Sequence, residues 1–476
     1  MRPLMWFRAD LRTRDNTALS AACAAASKGA LAVFTICPRQ WREHDWGDMK
    51  VDFLRRNLEE LSEGLESRNI ALKFIEGDSF DGIESDLLAL AKEHDCTALF
   101  FNEEYEVNER KRDATVAAAF AKAGLSVRSF HDQTCVPPGE LRTKEDKPYT
   151  VYSPFKRKWY QHFKDGHVPR AQGLAKKQPE MVSSPDAVPD SMGDFDPDAG
   201  RPDLWKAGED HALSRLRSFI EGRLDPYKED RDYPAINGTS TISPYLAIGT
   251  VSPRQCMDAA LDANNGKIDG GGKGAVHWMS EVIWREFYRQ ILVAFPRVCR
   301  HRPFNAKYDI EWRDGADAQR EFSAWCQGKT GYPIVDAAMR QLKQTGWMHN
   351  RSRMAVAMFL SKDLLIDWRW GERYFMQHLV DGDLASNNGG WQWSAATGTD
   401  AAPYFRIFNP ISQSKKFDPE GEYIRKFVGE LSKVNGDDIH APWEHDSLLD
   451  ETGYPDRIVD HHEARERALK AFKVES

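Results

Sequence analysis

Residues 4–36 read LMWFRADLRTRDNTALSAACAAASKGALAVFTI, two short apolar runs, Leu4–Phe7 and Leu31–Ile36, separated by a longer and more polar stretch. Runs this short, rich in aromatic and β-branched residues, read as strands buried on both faces. The pattern repeats at Ala71–Ile75, Ala98–Phe101 and Val127–Phe130, while Val51–Arg68 and Asn108–Lys122 carry helical periodicity. Strands alternating with helices imply a doubly wound parallel sheet over residues 1–131. No Gly-x-Gly-x-x-Gly follows any of these strands, which removes the support for a conventional dinucleotide site there.

From 132 to 204 the alternation breaks down, and Met181–Asp203 is rich in Pro, Asp, Ser and Gly with little apolar periodicity. The stretch reads as an interdomain linker. Beyond it, residues 205–476 show helical repeats heavy in Ala, Leu, Trp and Arg, so the fold class expected is an α/β N-terminal domain followed by an all-α domain.

The 476 residues carry a net charge of −8, which excludes wholesale nucleic-acid binding and requires any such contact to use a local basic patch. Arg142–Arg170, with Lys156, Arg157 and Lys158, is one such patch; Arg340, Lys343, Arg351, Arg353, Lys362, Arg369 and Arg373 form another. Seven scattered cysteines, with no Cys-x-x-Cys pair and no His at ligand spacing, argue against disulfides and structural zinc, and no metal is expected. Without a long apolar run or a signal-like N-terminus, the expectation is a cytoplasmic monomer with no membrane association.

Nine of the 15 tryptophans crowd between Trp278 and Trp393 in the helical half. In HWMSEVIWREFYRQ, Trp278, Glu281, Trp284 or Arg285, and Tyr288 fall on one helical face, which predicts a carboxylate desolvated among rings. In GWMHNRSRM, Asn350 and Met354 share a face flanked by Arg351 and Arg353, a set suited to a planar heteroaromatic ligand with a phosphate nearby. His349 reads as a structural histidine. The run DGDLASNNGGWQWSAATGTDAAPYFRIFNP (381–410) places Asp381 and Asp383 before Asn387, Asn388, Trp391 and Trp393, more like a ligand cradle than a pair of hydrolytic carboxylates. Thr239, Ser240 and Ser243 lie at what reads as a helix N-terminus, either a plain cap or a phosphate cradle.

WFRADLRTRDNTAL (6–19), NGTSTISPYLAIG (237–249), SEVIWREFYRQ (280–290), KTGYPIVDAAMRQLKQTGWMHNRSRM (329–354) and the 381–410 run resemble, in this order, the photolyase and cryptochrome family. The resemblance spans nearly the whole chain. It implies FAD in the helical domain, with Tyr227, Thr239, Ser240 and Ser243 on its phosphates and Trp278, Arg285, Asn350, Asp381, Asp383 and Asn387 around the rest. It further implies an electron relay of Trp391, Trp368 and Trp312, and a pocket for a flipped-out lesion made by Glu281, Trp284, Asn350, Met354 and Trp393. Arg231, Arg351 and Arg353 are the associated DNA contacts.

Asn350 with Met354 and Trp391 resembles the branch that repairs cyclobutane pyrimidine dimers in duplex DNA, and the alternative is a cryptochrome-like photoreceptor without repair. His44, Asn108, Glu109 and Cys299 match antenna positions that bind a folate, methenyltetrahydrofolate, in some relatives. Arg300 stands where those relatives often have Lys, so an 8-hydroxy-deazaflavin or an empty antenna site are the other options. The partner implied is damaged DNA, with nucleoid association while bound.

Overall fold

The computed structural model describes residues 1–434 and 436–472. Five strands form one parallel sheet: β1 (Pro3–Phe7), β2 (Leu31–Ile36), β3 (Ala71–Glu76), β4 (Ala98–Asn102) and β5 (Ser126–Phe130), in the order β3-β2-β1-β4-β5. Leu4 pairs with Leu31 on one side and Leu99 on the other, so β1 is central and both of its faces are covered. This is why its residues read as an unbroken apolar run rather than an alternation. The intervening helices include α1 (Thr17–Ala25), α2 (Asp48–Glu66), α3 (Ile83–Glu93) and α4 (Val107–Lys122). Leu4, Trp6, Val33 and Phe101 pack with Leu87 and Phe120 of these helices into one core. The α/β expectation holds, with strand ends shifted by one residue at most.

Among the described residues, every regular element after Trp205 is a helix or helical turn, again as expected. The chain nevertheless divides into compact units at other places than residues 131 and 204. One unit comprises Met1–Asp225, Ser240–Pro296 and Val380–Gly382; the other comprises Pro226–Thr239, Arg297–Leu379 and Asp383–Ser476.

Buried charge explains why Ser240–Pro296 joins the α/β unit. Asp132 accepts from Arg12 and, at 2.7 Å, from Arg254; Arg254 also reaches Asp15 at 3.1 Å, and the Ser252 hydroxyl donates to Asp15. All five side chains are buried. Burial alone would raise the Asp132 pKa, but the two guanidiniums outweigh it and hold the carboxyl well below the usual range. Gly249, at φ +77°, ends the short helix Ser243–Ile248, and a Cβ there would fall 2.2 Å from the Ala9 carbonyl. Only glycine permits that approach.

The 132–204 stretch is bound rather than free. It contains α5 (Tyr152–Lys164), with Phe155 and Trp159 buried, and it runs along the outer edge of β3. There the Asp186 N–H donates to the Leu72 carbonyl at 2.9 Å, while its carboxylate accepts from the Phe74 N–H at 3.0 Å and pairs with Lys73. Met192 and Phe195 are buried in the same run. Low apolar periodicity hid this role, because strand-edge contacts use the backbone and one aspartate.

Candidate functional site

In the second unit, helix α10 (Asn350–Met358) begins at His349, whose Nδ1 accepts the Arg351 N–H at 3.2 Å. Burial pushes the His349 pKa down to about 4, and Nε2 has no partner among the described residues. This histidine is a helix cap, in keeping with a structural role. The capped turn sets the face beyond it: Asn350 Nδ2 meets Met354 Sδ at 3.8 Å, so amide and thioether stand together at the expected four-residue spacing. Arg351 pairs with Asp232 at 2.9 Å and lies over Phe417, Arg231 approaches Asp232 at 3.8 Å, and Arg353 Nε donates to the Met348 carbonyl at 2.8 Å. Tyr227 is buried in this unit, and Thr239 is its last residue before the chain crosses into the first.

Two further helices, α11 (Trp368–His378) and α12 (Leu384–Ser394), are joined by polar side chains. Asp383 caps α12, accepting the Ser386 N–H at 2.9 Å. Asn387 Nδ2 donates to the Glu372 carbonyl at 2.9 Å, and Asn388 Nδ2 donates to Glu372 Oε1 at 2.8 Å. His301 Nδ1 meets the other Glu372 oxygen at 2.8 Å. The sequence reading missed Glu372, whose importance depends on partners from two other segments; the only signal was an acid in an otherwise amphipathic helix.

Asn387 is buried and spends one donor on this network, leaving most of an amide's four hydrogen-bonding positions for a ligand. A flavin, with its ring of alternating donors and acceptors, fits that chemistry. Trp391 packs so tightly on α11 that a Cβ on Gly371 would lie 2.1 Å from its ring. The indole N–H groups of Trp391, Trp368 and Trp312 are buried, with no partner among the described residues. All three rings belong to one hydrophobic cluster. Trp393 is half-buried on α12.

The first unit holds the remaining expected residues. The Ser243 hydroxyl donates to Asp381 at 2.6 Å, and Lys50 donates to the Gly382 carbonyl at 2.8 Å. Asp381 and Asp383 thus do separate work: one binds a serine, the other caps a helix. Ser240 is buried; the helix that follows is capped by Ile242 without a side-chain hydrogen bond, so the hydroxyls here do not form a plain N-cap.

On α6 (Lys273–Ala294), Arg285 donates to the carbonyls of Gln133 and Leu246 at 2.6 and 3.1 Å, Trp278 packs on Phe219, and Trp284 stacks on Tyr152 at 3.6 Å. Glu281 departs from the expectation of a carboxylate sealed among rings. A third of its side chain is exposed, and it faces His277 one turn earlier at 3.7 Å. The carboxylate that α6 does bury is Glu286, which accepts from Trp159 Nε1 at 2.8 Å and from the Cys135 N–H, and whose pKa burial raises.

The first unit also brings His44, Asn108 and Glu109 together. Asn108 Nδ2 lies 3.0 Å and Gln40 Nε2 3.1 Å from His44 Nε2, and His44 Nδ1 is 3.2 Å from Glu109 Oε1. Burial opposes charge on both partners, but their mutual hydrogen bond and attraction prevail, so Glu109 is held below and His44 above its ordinary pKa. Glu109 Oε2 is buried with no hydrogen-bond partner among the described residues, an acceptor suited to a ligand N–H such as that of a pterin. Gln40 is an addition the sequence reading lacked. Cys299 and Arg300 belong to the second unit.

Sheet order, helical region and side-chain set together define the two-part architecture of the photolyases and cryptochromes. A class III photolyase from Agrobacterium tumefaciens superposes with a TM-score of 0.86 at 37% identity, covering 99% of this chain and 97% of that one. A cryptochrome from Synechocystis sp. PCC6803 gives 0.85 at 27% identity, covering 98% and 99%. Family models described as DNA photolyase and as the FAD binding domain of DNA photolyase match residues 3–178 and 278–474. The deoxyribodipyrimidine photo-lyase of Escherichia coli K12 is 44% identical over 99% of this chain and 98% of its own length. The chain belongs to the DNA photolyase family.

Proposed function

We propose that this protein is a light-driven DNA-repair enzyme that splits cyclobutane pyrimidine dimers, using FAD as its redox cofactor. The observation that carries the reading is the end-to-end likeness to the Escherichia coli deoxyribodipyrimidine photo-lyase. The Asn350–Met354 face supports it. When bound, the reduced flavin supplies on absorbing light the electron that opens the cyclobutane ring, and takes it back afterwards.

The residues assigned to FAD are Tyr227, Thr239, Ser240, Ser243, Trp278, Arg285, Asn350, Asp381, Asp383 and Asn387. Asn387, steadied by Glu372, holds its amide at a fixed place and tunes the redox-active ring. Glu281 hydrogen-bonds a pyrimidine carbonyl and stabilises the charge that develops there. Trp284, Asn350, Met354 and Trp393 line the lesion, while Arg231, Arg351 and Arg353 act on the DNA strand, so binding weakens with salt. Photolyases are among the enzymes that take a target base out of the stack, and a dimer that stacks poorly costs less to extrude. Trp391, Trp368 and Trp312 return electrons to an oxidised cofactor.

His44, Asn108 and Glu109, with Cys299 and Arg300, are assigned to an antenna chromophore, a reduced folate whose pterin N–H groups meet Glu109. We place the protein in the cytoplasm as a monomer. Among the described residues, no helix is long and apolar enough to cross a membrane.

The test is repair of an oligonucleotide carrying one cyclobutane dimer by the purified, reduced protein under blue light, with dark and (6-4)-lesion controls. Light-dependent restoration of the cyclobutane substrate alone is expected. Photoreduction without repair of either lesion would hand the reading to a photoreceptor. Glu281→Ala should keep its FAD and lose roughly a hundredfold in repair rate, the usual cost of removing one group that stabilises developing charge.

A further inference from the structure

Trp284 is half-buried on α6, so part of its indole faces solvent, yet the ring is held like a core residue. Tyr152 lies flat against it, with centroids 3.6 Å apart and planes 12° from parallel, so the two rings overlap face to face. Phe287 meets the same indole edge to face at 5.6 Å, and Tyr288 lies tilted beside it at 5.6 Å.

Tyr152 is itself fixed. It is buried, packs edge to face on Phe287 at 5.7 Å, and donates its hydroxyl to the Ser280 carbonyl at 2.6 Å, one turn before Trp284 on α6. Burial raises its pKa, so the phenol stays neutral and keeps that donor. Ring and hydroxyl together tie the first turn of α5 to the turn of α6 that carries Trp284. Tyr152 belongs to the 132–204 stretch, so a segment expected as a linker supplies this support.

A large aromatic on an open helix face samples several rotamers, and a ligand that stacks on it must first order the ring. A ring already stacked on a buried neighbour holds one rotamer before the ligand arrives. Core packing alone would not leave such a ring open to solvent.

We propose that Tyr152 is a positioning residue for lesion binding: it backs Trp284 and makes the indole a rigid platform whose solvent-facing side receives the extruded dimer. The proposal rests on the reading of Trp284 as a residue that lines the lesion. Its consequence is selective. A platform that acts by stacking strengthens binding of the flipped-out dimer and leaves contacts to the phosphates of intact duplex untouched.

Binding in the dark tests this, with the FAD-loaded protein titrated against an oligonucleotide carrying one cyclobutane dimer and against the same sequence undamaged. Flavin content of each variant reports folding. Tyr152→Ala should weaken dimer binding about 3- to 10-fold, the cost of ordering one large side chain on association, with undamaged binding the same as before. Tyr152→Leu fills the space without a flat ring and should lose dimer affinity in the same direction, so the answer does not hang on the alanine variant folding. Tyr152→Phe keeps the ring and should restore most of the affinity. In a Trp284→Ala background, Tyr152→Ala should cost nothing further, since the ring it supports is gone. Equal weakening towards both oligonucleotides, additive losses in the double substitution, or a loss in Tyr152→Phe as large as in Tyr152→Ala would each overturn the platform. An unsubstituted protein that does not prefer the dimer would remove the repair reading and the platform with it, whereas a preference that survives both Tyr152→Ala and Tyr152→Leu intact removes the platform alone.

Discussion

In the first unit Arg12, Asp15, Asp132 and Arg254 are all buried, and each charge faces an opposite one. In the second, the indole N–H groups of Trp312, Trp368 and Trp391 and Nε2 of His349 are buried with no partner among the described residues. The two arrangements answer different needs. A paired network holds segments far apart in sequence in one geometry, and it fails when one member is removed. An unpartnered buried donor costs about 1–3 kcal/mol, a cost retained where the group serves chemistry or a cap rather than stability. Glu109 Oε2, at the expected antenna trio of the first unit, belongs to the second kind.

Removing one charge is the harshest test of the contrast. Asp132→Asn leaves Arg12 and Arg254 facing a neutral amide and should lower unfolding free energy by about 4 kcal/mol in denaturant titrations. A loss below 1 kcal/mol would mean the network is incidental. Because the folded pKa of Asp132 is depressed, its contribution is present above the ordinary carboxylate pKa and disappears as pH falls below it.

His349 offers a smaller effect at higher pH. Its folded pKa, about 4 against an ordinary 6.5, means the unfolded chain binds the proton first. The stabilisation is full above pH 6.5 and is lost as pH falls towards 4, by at most about 3 kcal/mol. His349→Asn keeps a capping side chain but cannot titrate, so its stability should be flatter across that interval. Identical slopes in the two proteins would show that His349 is not held neutral.

The mildest change is Gly371→Ala. Its Cβ meets the Trp391 ring, and overpacking of this kind costs about 2 kcal/mol. Slower photoreduction should accompany the lower melting temperature. Unaltered photoreduction would show that Trp391 tolerates displacement.

β1, β2 and β4 were legible because each is a short apolar run covered on both faces, β3 and β5 because their apolar residues stand out even at the partly exposed sheet edges, and the Asn350–Met354 pair because helical spacing alone places it. Helix α6 shows where legibility ended. Periodicity singled out Glu281 as the desolvated acid, yet Glu286 is the one buried, since its partners Trp159 and Cys135 arrive from more than a hundred residues away. No local pattern carries that information. Asp186 was hidden in the same way: in a stretch that reads as linker, one carboxylate and one amide bind the edge of β3.

That last contact bears on how the protein ages in solution. A strand edge stripped of its cover presents a row of free amide and carbonyl groups to any other chain. A protease that cut the exposed backbone near Asp190 would leave both fragments of the 132–204 stretch tethered, but would loosen the segment lying against Leu72 and Phe74. Nicked molecules would then pair edge to edge and precipitate while their helical units were still folded. The proline-rich stretch therefore covers a strand edge that would otherwise be open to pairing with another chain.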